Sequence, residues 1–151
     1  MDDVCAELGR LSNEIDALVY ETEGLGAPLQ VNQVDWDKVQ TYLAPNFTWN
    51  DYSAFGSRGN YSDYQAYWEA LNMANSQWAL QNVSTEQWVS CDPVALRGMS
   101  QWRETFASTA DPTRQEVSTS IYTIEFDSDL KATRQAYWTS GNIANLVRGQ
   151  P

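Results

Sequence analysis

The sequence predicts an α+β domain in which three N-terminal helices are followed by a curved antiparallel sheet that wraps around them as a cone. Apolar residues recur at steps of three and four in the first half of the chain, which is the helical period. After residue 76 the pattern alternates and is rich in Trp, Thr, Val and Tyr, as in strands. The turn signals CDP, ADPT and DSD separate these later stretches, as in antiparallel hairpins. Helices first and one sheet afterwards is an α+β order.

Three segments carry the helix signals. Residues 3–22 place one apolar stripe along an acidic helix. A loop with Gly and Pro follows at residues 24–33, and Asp35 is then a suitable N-cap for a short helix that ends before Pro45. The third helix is predicted over residues 60–74, with Asn60 at its start.

Five segments carry strand signals. In the first, NFTWNDY, Phe47, Trp49 and Asp51 fall on one face and Thr48 and Asn50 on the other, so we expect a strand with a carboxylate at the end of its inner face. The other four are long alternating stretches over residues 76–90, 94–108, 114–126 and 130–140. The last stretch leaves two assignments open, with either Gln135 and Tyr137 or Arg134 and Trp138 facing inward.

Length and charge exclude several functions. The 151 residues predict one domain spanning residues 1–151. A net charge of −11 argues against sequence-independent binding of nucleic acid and against docking on anionic membranes. The chain contains no histidine, which removes catalytic triads based on imidazole and His-ligated zinc. Carboxylates, phenols, thiols and arginines remain for proton chemistry.

The two cysteines, Cys5 and Cys91, lie 86 positions apart without CxxC spacing, so a disulfide is possible but not required. The N-terminus lacks the pattern of a signal peptide, and no stretch approaches the ~18 apolar residues of a membrane span. We therefore expect a cytoplasmic protein with reduced thiols.

Residues 35–51, DWDKVQTYLAPNFTWND, resemble a family pattern of Asp-x-Asp, helix, apolar strand and terminal Asp. This pattern, together with the order of elements along nearly the whole chain, is similar to the nuclear-transport-factor-2-like superfamily, also called the SnoaL-like or ketosteroid-isomerase-like fold. The resemblance implies a pocket in the open end of the cone for a hydrophobic small molecule, chemistry without a cofactor, and a homodimer formed through the outer face of the sheet.

The resemblance also implies three catalytic residues. Asp51 matches the aspartate that carries a proton between two carbons in the steroid isomerases. Tyr20 is the nearest candidate for the tyrosine that those enzymes supply from the first helix to the developing enolate oxygen. Tyr122 falls where they place a protonated aspartate as the second donor. A phenol with a pKa near ~10 is also a neutral donor at pH 7.

Seven further residues are expected to line the pocket, and each also has a purely structural interpretation. Aromatic residues on helices and strands most often form core, Asn82 is about as often bonded to nearby backbone, and Asp51 itself could cap a turn. The expected lining residues are Trp49, Tyr64, Trp68, Asn82, Trp102, Phe126 and Tyr137.

The sequence favours a cofactor-independent isomerase or cyclase that acts on a polycyclic, natural-product-like molecule. One alternative is an epoxide-hydrolase-like enzyme in which an aspartate and an arginine activate a water molecule. An arginine turned inward beside Asp51 would favour this alternative, and the candidates are Arg97, Arg103 and Arg134. Pairing of these arginines with the strand glutamates Glu104, Glu116 and Glu125 is the favoured interpretation. The remaining alternative is a non-catalytic module for ligand binding or dimerisation, since fold alone does not determine function.

Overall fold

The computed structural model describes residues 2–20, 30–52, 58–77 and 80–140. It confirms the three predicted helices and the five predicted strands, and it adds a two-residue strand that the sequence pattern did not predict. Most of the predicted loop over residues 24–33 lies outside the described residues. The elements are α1 (Asp2–Val19), α2 (Trp36–Tyr42), β1 (Leu43–Asp51), β2 (Arg58–Gly59), α3 (Tyr61–Gln77), β3 (Leu80–Asp92), β4 (Arg97–Ser108), β5 (Gln115–Phe126) and β6 (Ala132–Ser140).

The described strands form one curved six-stranded sheet in the order β2-β1-β6-β5-β4-β3. Strands β3 to β6 are consecutive antiparallel neighbours, as the short turns predicted. The expectation of a wholly antiparallel sheet is wrong at one position, because β1 pairs in parallel with β6. A hairpin cannot join parallel strands, and here β2, α3 and the strands β3 to β5 lie between the two in the chain. The sheet is therefore mixed.

The apolar stripe predicted for α1 is buried from Leu8 onward, whereas Val4 at its start is exposed. Leu8, Ile15 and Val19 are fully inaccessible, and Leu11 is nearly so. These residues belong to one core with Phe47 and other inward residues of the sheet. Within the described parts of the chain, no helix has both the length and the apolar character needed to cross a membrane.

A disulfide joins Cys5 at the start of α1 to Cys91 near the end of β3. Their Cα atoms are 5.6 Å apart, which is within the usual range for a disulfide. The expectation of reduced thiols is thus wrong for this pair. Packing of α1 against the sheet brings together two residues that are remote in sequence, and no local pattern reports such a contact. The disulfide fixes the N-terminal turn of α1 to the edge strand of the sheet.

Local side-chain caps explain where α2 and α3 begin. The carboxylate of Asp35 accepts a hydrogen bond from the backbone N–H of Lys38 at 3.1 Å, as predicted for an N-cap. At the start of α3, Asn60 Oδ1 accepts from the N–H of Ser62, and Asp63 Oδ2 accepts from the N–H of Asn60. A Cβ atom at Gly59 would lie 1.8 Å from Asp63 Oδ2, so only glycine fits beside this cap.

Candidate active site

The inner face of the sheet carries a row of polar side chains from four adjacent strands. Asp51 of β1 lies opposite Tyr137 of β6, Tyr137 lies opposite Tyr122 of β5, and Tyr122 lies opposite Ser100 of β4. Because neighbouring strands are ~4.8 Å apart, Asp51 and Tyr122 are separated by about 10 Å along the sheet. The strand pairing therefore places the predicted carboxylate and the predicted phenol in one row.

Asp51 is fully buried at the end of β1, where its alternation partners Phe47 and Trp49 are also buried. Its carboxylate accepts a hydrogen bond from the phenol of Tyr67 on α3. Burial raises the pKa of Tyr67, and the adjacent negative charge of Asp51 raises it further. Tyr67 thus stays protonated and remains a donor to Asp51.

A second carboxyl group enters the site from α1. Asp16 is half-buried as a residue, but its carboxyl group is desolvated, and this burial raises the pKa of Asp16 to about 7. The hydroxyl of Tyr122 lies close enough to oppose this rise by favouring the ionised form. Burial and the charge of Asp16 raise the pKa of Tyr122 well above its ordinary value, so the phenol stays protonated. At neutral pH, Asp16 is present in both protonation states.

Aromatic side chains form one wall of the interior. The ring of Tyr64 meets Trp49 edge-on at 5.3 Å between centroids and Trp68 at 6.3 Å. Tyr67 packs against Trp49 and Trp68 at 5.1 and 5.3 Å. Trp49, Tyr64 and Trp68 all belong to the buried core, so at this level the interior is largely filled by rings.

The row continues toward the other edge of the sheet through further polar groups. The Tyr137 hydroxyl donates to Ser120 Oγ at 3.2 Å. Asn82 on β3 donates through Nδ2 to Thr85 Oγ1 and to Glu104 Oε1, at 2.8 and 3.2 Å. Burial raises the pKa of Glu104, and the hydrogen bond from Asn82 opposes that rise. The interior therefore contains a third carboxyl group beside Asp16 and Asp51.

The strand arginines lie on the outer face of the sheet. Arg97 contacts Glu125 at 2.8 Å and Arg134 contacts the same carboxylate at 3.6 Å. Arg103 lies 4.0 Å from Glu86. Of the glutamate partners considered from the sequence, Glu125 is confirmed, whereas Glu104 faces inward and bonds to Asn82. None of these three arginines meets Asp51. Because Gln135 is buried and Trp138 is exposed, the last strand faces inward with Gln135 and Tyr137.

The structure brings most of the predicted site residues together. Asp51, Trp49, Tyr64, Trp68, Tyr122 and Tyr137 share the inner face of the sheet or the helix face that covers it. Trp102 also lies on the inner face, where its Nε1 donates to Ser100 Oγ at 3.0 Å. Phe126 is core at the C-terminal end of β5, and Asn82 is on the edge strand beside Glu104. Tyr20 packs on Trp68 at 5.5 Å, whereas the residue of α1 that reaches Tyr122 is Asp16.

Asp16 is the site residue that sequence reasoning missed. It lies one helical turn before Tyr20 on α1. Its spacings of eight residues from Leu8 and three from Val19 place it on the same face of the helix as the apolar stripe. An acidic residue in an otherwise apolar helical face was the available signal. It was obscured because the helix is acidic throughout.

Among the residues that the structure describes, no group of three or more Cys, Asp or Glu side chains is arranged to hold a metal. The described lysines and arginines are all exposed or half-buried, so none is enclosed in the interior. The arrangement is suited to proton transfer and hydrogen bonding between carboxyl groups and phenols.

Comparison with solved structures relates this architecture to known proteins. A protein from Agrobacterium tumefaciens, provisionally described as an isomerase of the SnoaL-like family, superimposes with a TM-score of 0.57 at 12% identity over 92% of this chain and 99% of its own. The epoxide hydrolase/cyclase-like enzyme SalBIII, which acts in pyran ring formation in the polyether salinomycin, superimposes with a TM-score of 0.55 at 12% identity. The match covers 89% of this chain and 92% of SalBIII. A protein from Xanthomonas campestris, provisionally described as a polyketide cyclase, superimposes with a TM-score of 0.52 at 14% identity. The match covers 91% of this chain and 95% of that protein.

No protein-family profile matches the sequence, and no curated protein sequence is significantly similar to it. The similarity is thus visible in the backbone and not in the sequence as a whole. The molecule has the nuclear-transport-factor-2-like fold, to which the SnoaL-like and ketosteroid-isomerase-like proteins belong, as the match at residues 35–51 predicted.

Proposed function

We propose that the protein is a cofactor-independent isomerase or cyclase that moves a proton on a hydrophobic polycyclic small molecule. The observation that carries the proposal is a pair of carboxyl groups, Asp51 and Asp16, at opposite ends of a row of phenols on the inner face of the sheet. Buried carboxyl groups in different environments divide acid and base roles between them.

Asp51 is the proposed general base. As a carboxylate it accepts a proton from the carbon next to a carbonyl group of the substrate, and it can return that proton to a second carbon. Tyr67 donates to Asp51 and so fixes the orientation of the carboxylate. A positioned base of this kind contributes ~10² to 10⁴-fold to the rate.

Tyr122 and the protonated form of Asp16 are the proposed donors to the enolate oxygen that develops on proton removal. Both are neutral donors near neutral pH, because burial raises the pKa of each. The resemblance to the steroid isomerases implied a phenol from the first helix and a protonated carboxyl group from a strand. Here the two groups exchange places, with the carboxyl group on α1 and the phenol on β5.

The alternatives are less well supported by the same observations. An Asp–Arg activated water requires an inward arginine, and Arg97, Arg103 and Arg134 all pair on the outer face. A non-catalytic module would have an interior filled by aromatic residues or Asp51 exposed to solvent. Rings do fill one level of the interior, but Asp51 is fully buried and bonded to Tyr67.

The experiment is deuterium incorporation next to the carbonyl of 2-tetralone in D₂O, followed by NMR, because it reports proton abstraction without knowledge of the natural product. We expect the Asp51→Asn variant to lose about 10² to 10⁴-fold of the exchange rate. Asp129→Asn, in an exposed turn, is the matched control and should exchange like the wild type. Full exchange by Asp51→Asn would refute the assignment.

A further inference from the structure

A buried amide on α3 holds the C-terminal end of α1. Asn72 is fully inaccessible, and its Nδ2 donates a hydrogen bond to the backbone carbonyl of Val19 at 2.9 Å. Val19 is the last residue of α1. The final four carbonyl groups of a helix have no partner within the helix, so Asn72 satisfies one of them from outside. The bond joins two residues that are 53 positions apart in the sequence.

The bonded carbonyl belongs to the helical turn that carries Asp16. Asp16 and Val19 are three residues apart, so they are neighbours on one face of α1. The backbone carbonyl of Asp16 accepts from the N–H of Tyr20 at 2.8 Å, which closes this turn. Tyr20 packs on Trp68, which precedes Asn72 by about one turn on α3. The last turn of α1 is therefore held against one face of α3.

The N-terminal half of α1 packs incompletely against the sheet. A cleft of about 600 Å³ lies between this part of the helix and strands β3 and β4, and its lining includes Gly9, Ser12, Val89 and Ser100. The disulfide of Cys5 ties the helix to β3 beside this cleft. Because close packing is what resists small shifts of a helix, the orientation of α1 depends strongly on the contacts near its C-terminal end.

The same helix α3 also positions the proposed base. Tyr67 donates to the carboxylate of Asp51, and Asn72 follows Tyr67 by five residues, which is about 7.5 Å along the helix axis. Helix α3 therefore contacts one carboxyl group of the proposed site directly and the other through the backbone of α1. These two contacts set the position of Asp16 relative to Asp51.

The energetics of Asn72 allow its hydrogen bond to be removed selectively. Its Oδ1 has no hydrogen-bond partner, and a buried polar atom without a partner is unfavourable. An apolar side chain of similar size would remove this unfavourable atom and would also lose the bond to Val19. These two effects on the free energy of unfolding oppose each other, so the bond can be deleted with only a small net change in stability.

We propose that Asn72 is a positioning residue, which fixes the last turn of α1 so that Asp16 meets Tyr122 at the proper distance from Asp51. This inference rests on the proposed function for the catalytic role of Asp16, but the alignment itself is a property of the free protein. Asn72 acts only through the backbone of α1. A misplacement of about 1 Å can cost ~10²-fold in rate, so loss of this bond should affect the chemistry.

The test is Asn72→Leu in the full chain, measured by carbon-13 NMR of labelled aspartate without substrate and by tetralone exchange. The pKa of Asp16 should fall from about 7 toward its ordinary value of ~3.9, because burial is the main cause of the rise and a displaced carboxyl group is more hydrated. Exchange at saturating tetralone should drop by about 10- to 100-fold with little change in KM. Asn72→Gln keeps an amide donor, so both changes should be smaller.

Leu43→Ala is the control for a loss of stability alone. Leu43 is buried at the opposite end of β1 from Asp51, so its truncation should lower stability and leave both the pKa of Asp16 and the exchange rate at wild-type values. If Asn72→Leu does not fold, Asn72→Ala removes the same donor and is judged by the same two measurements.

A folded donor-deletion variant that keeps the wild-type titration of Asp16 would overturn the proposal, and so would equal changes in Leu43→Ala. The titration also separates this inference from the proposed function. A wild-type protein that exchanges no tetralone, together with a shifted pKa of Asp16 in Asn72→Leu, would contradict the proposed function and still support the alignment by Asn72.

Discussion

Asp16 of α1 and Tyr122 of β5 face each other inside the sheet, and each changes the ionisation of the other. Burial raises the pKa of Asp16 to about 7, and the nearby phenol limits this rise. Burial and the adjacent carboxyl group raise the pKa of Tyr122 well above its ordinary value. Asp16 and Tyr122, which are 106 positions apart in the sequence, therefore form one pair of proton donors.

The first prediction concerns stability as a function of pH. The pKa of Asp16 is about 7 in the folded protein against ~3.9 in the unfolded chain. Between these two pH values Asp16 is protonated in the folded state and ionised in the unfolded chain. Its contribution to stability is full below pH ~4 and is lost as pH rises to 7. Asp16→Asn should remove this loss and raise the free energy of unfolding at pH 8 by roughly 2 kcal/mol, because each pKa unit is worth ~1.36 kcal/mol and partial exposure reduces the effect.

Urea unfolding at pH 4 and pH 8 measures this difference. Asp129→Asn serves as the control, because its side chain lies in an exposed turn. If the stabilisation by Asp16→Asn were the same at both pH values, the assignment of a raised pKa to Asp16 would be wrong.

The second prediction concerns Tyr122 as a donor in catalysis. Tyr122→Phe keeps the ring and removes the hydroxyl that faces Asp16. Loss of one donor to an enolate oxygen typically costs ~10² to 10³ in kcat, so the tetralone exchange rate should fall by that amount. The pKa of Asp16 should also rise further, since its hydrogen-bonding neighbour is gone; carbon-13 NMR of labelled Asp detects this directly. An unchanged exchange rate would limit Tyr122 to packing.

The third prediction concerns the disulfide between Cys5 and Cys91. A loop of 86 residues corresponds to about 4.5 kcal/mol of stabilisation through the unfolded state. Cys91→Ser should lower the free energy of unfolding by an amount of this order, and reduction of the wild type by dithiothreitol should have the same effect. A variant that lacks both cysteines should then be insensitive to the reductant. Equal stability of oxidised and reduced wild type would contradict the prediction.

The fourth prediction separates the outer arginines from the chemistry. Arg97 and Arg134 share Glu125 as their partner, with half-exposed side chains, and exposed ion pairs contribute only ~0–1 kcal/mol. Arg97→Gln and Arg134→Gln should therefore change unfolding free energy by less than about 1 kcal/mol and leave tetralone exchange at the wild-type rate. A drop in exchange by either variant would revive the Asp–Arg mechanism.

The fifth prediction concerns the homodimer that the family resemblance implied. On the outer face, Tyr52 stacks on Trp138 at 5.0 Å, and both rings are more than a third exposed. Ile121 lies opposite Trp138 and is also exposed, so the three form an apolar patch. Sedimentation should give twice the chain mass of 17.1 kDa, and Trp138→Lys should shift it toward the monomer. A wild-type particle of monomer mass would show that this face is not an interface between two copies.

The architecture could be predicted because its signals are local. The buried stripe of α1, the Asp35 cap and the alternation of Phe47, Trp49 and Asp51 each report on neighbours a few residues away. These patterns determine which elements form and which face of each is apolar. Burial of Asp51 at the end of β1 was predicted in this way.

Tertiary structure alone decided which residues meet. The parallel register of β1 on β6 places Tyr137 between Asp51 and Tyr122, and the packing of α1 selects Asp16, rather than Tyr20, as the partner of Tyr122. The same packing joins Cys5 to Cys91. The physical reason is that side-chain periodicity is set within each element. Register, helix rotation and the pKa changes caused by burial arise only when the elements pack together.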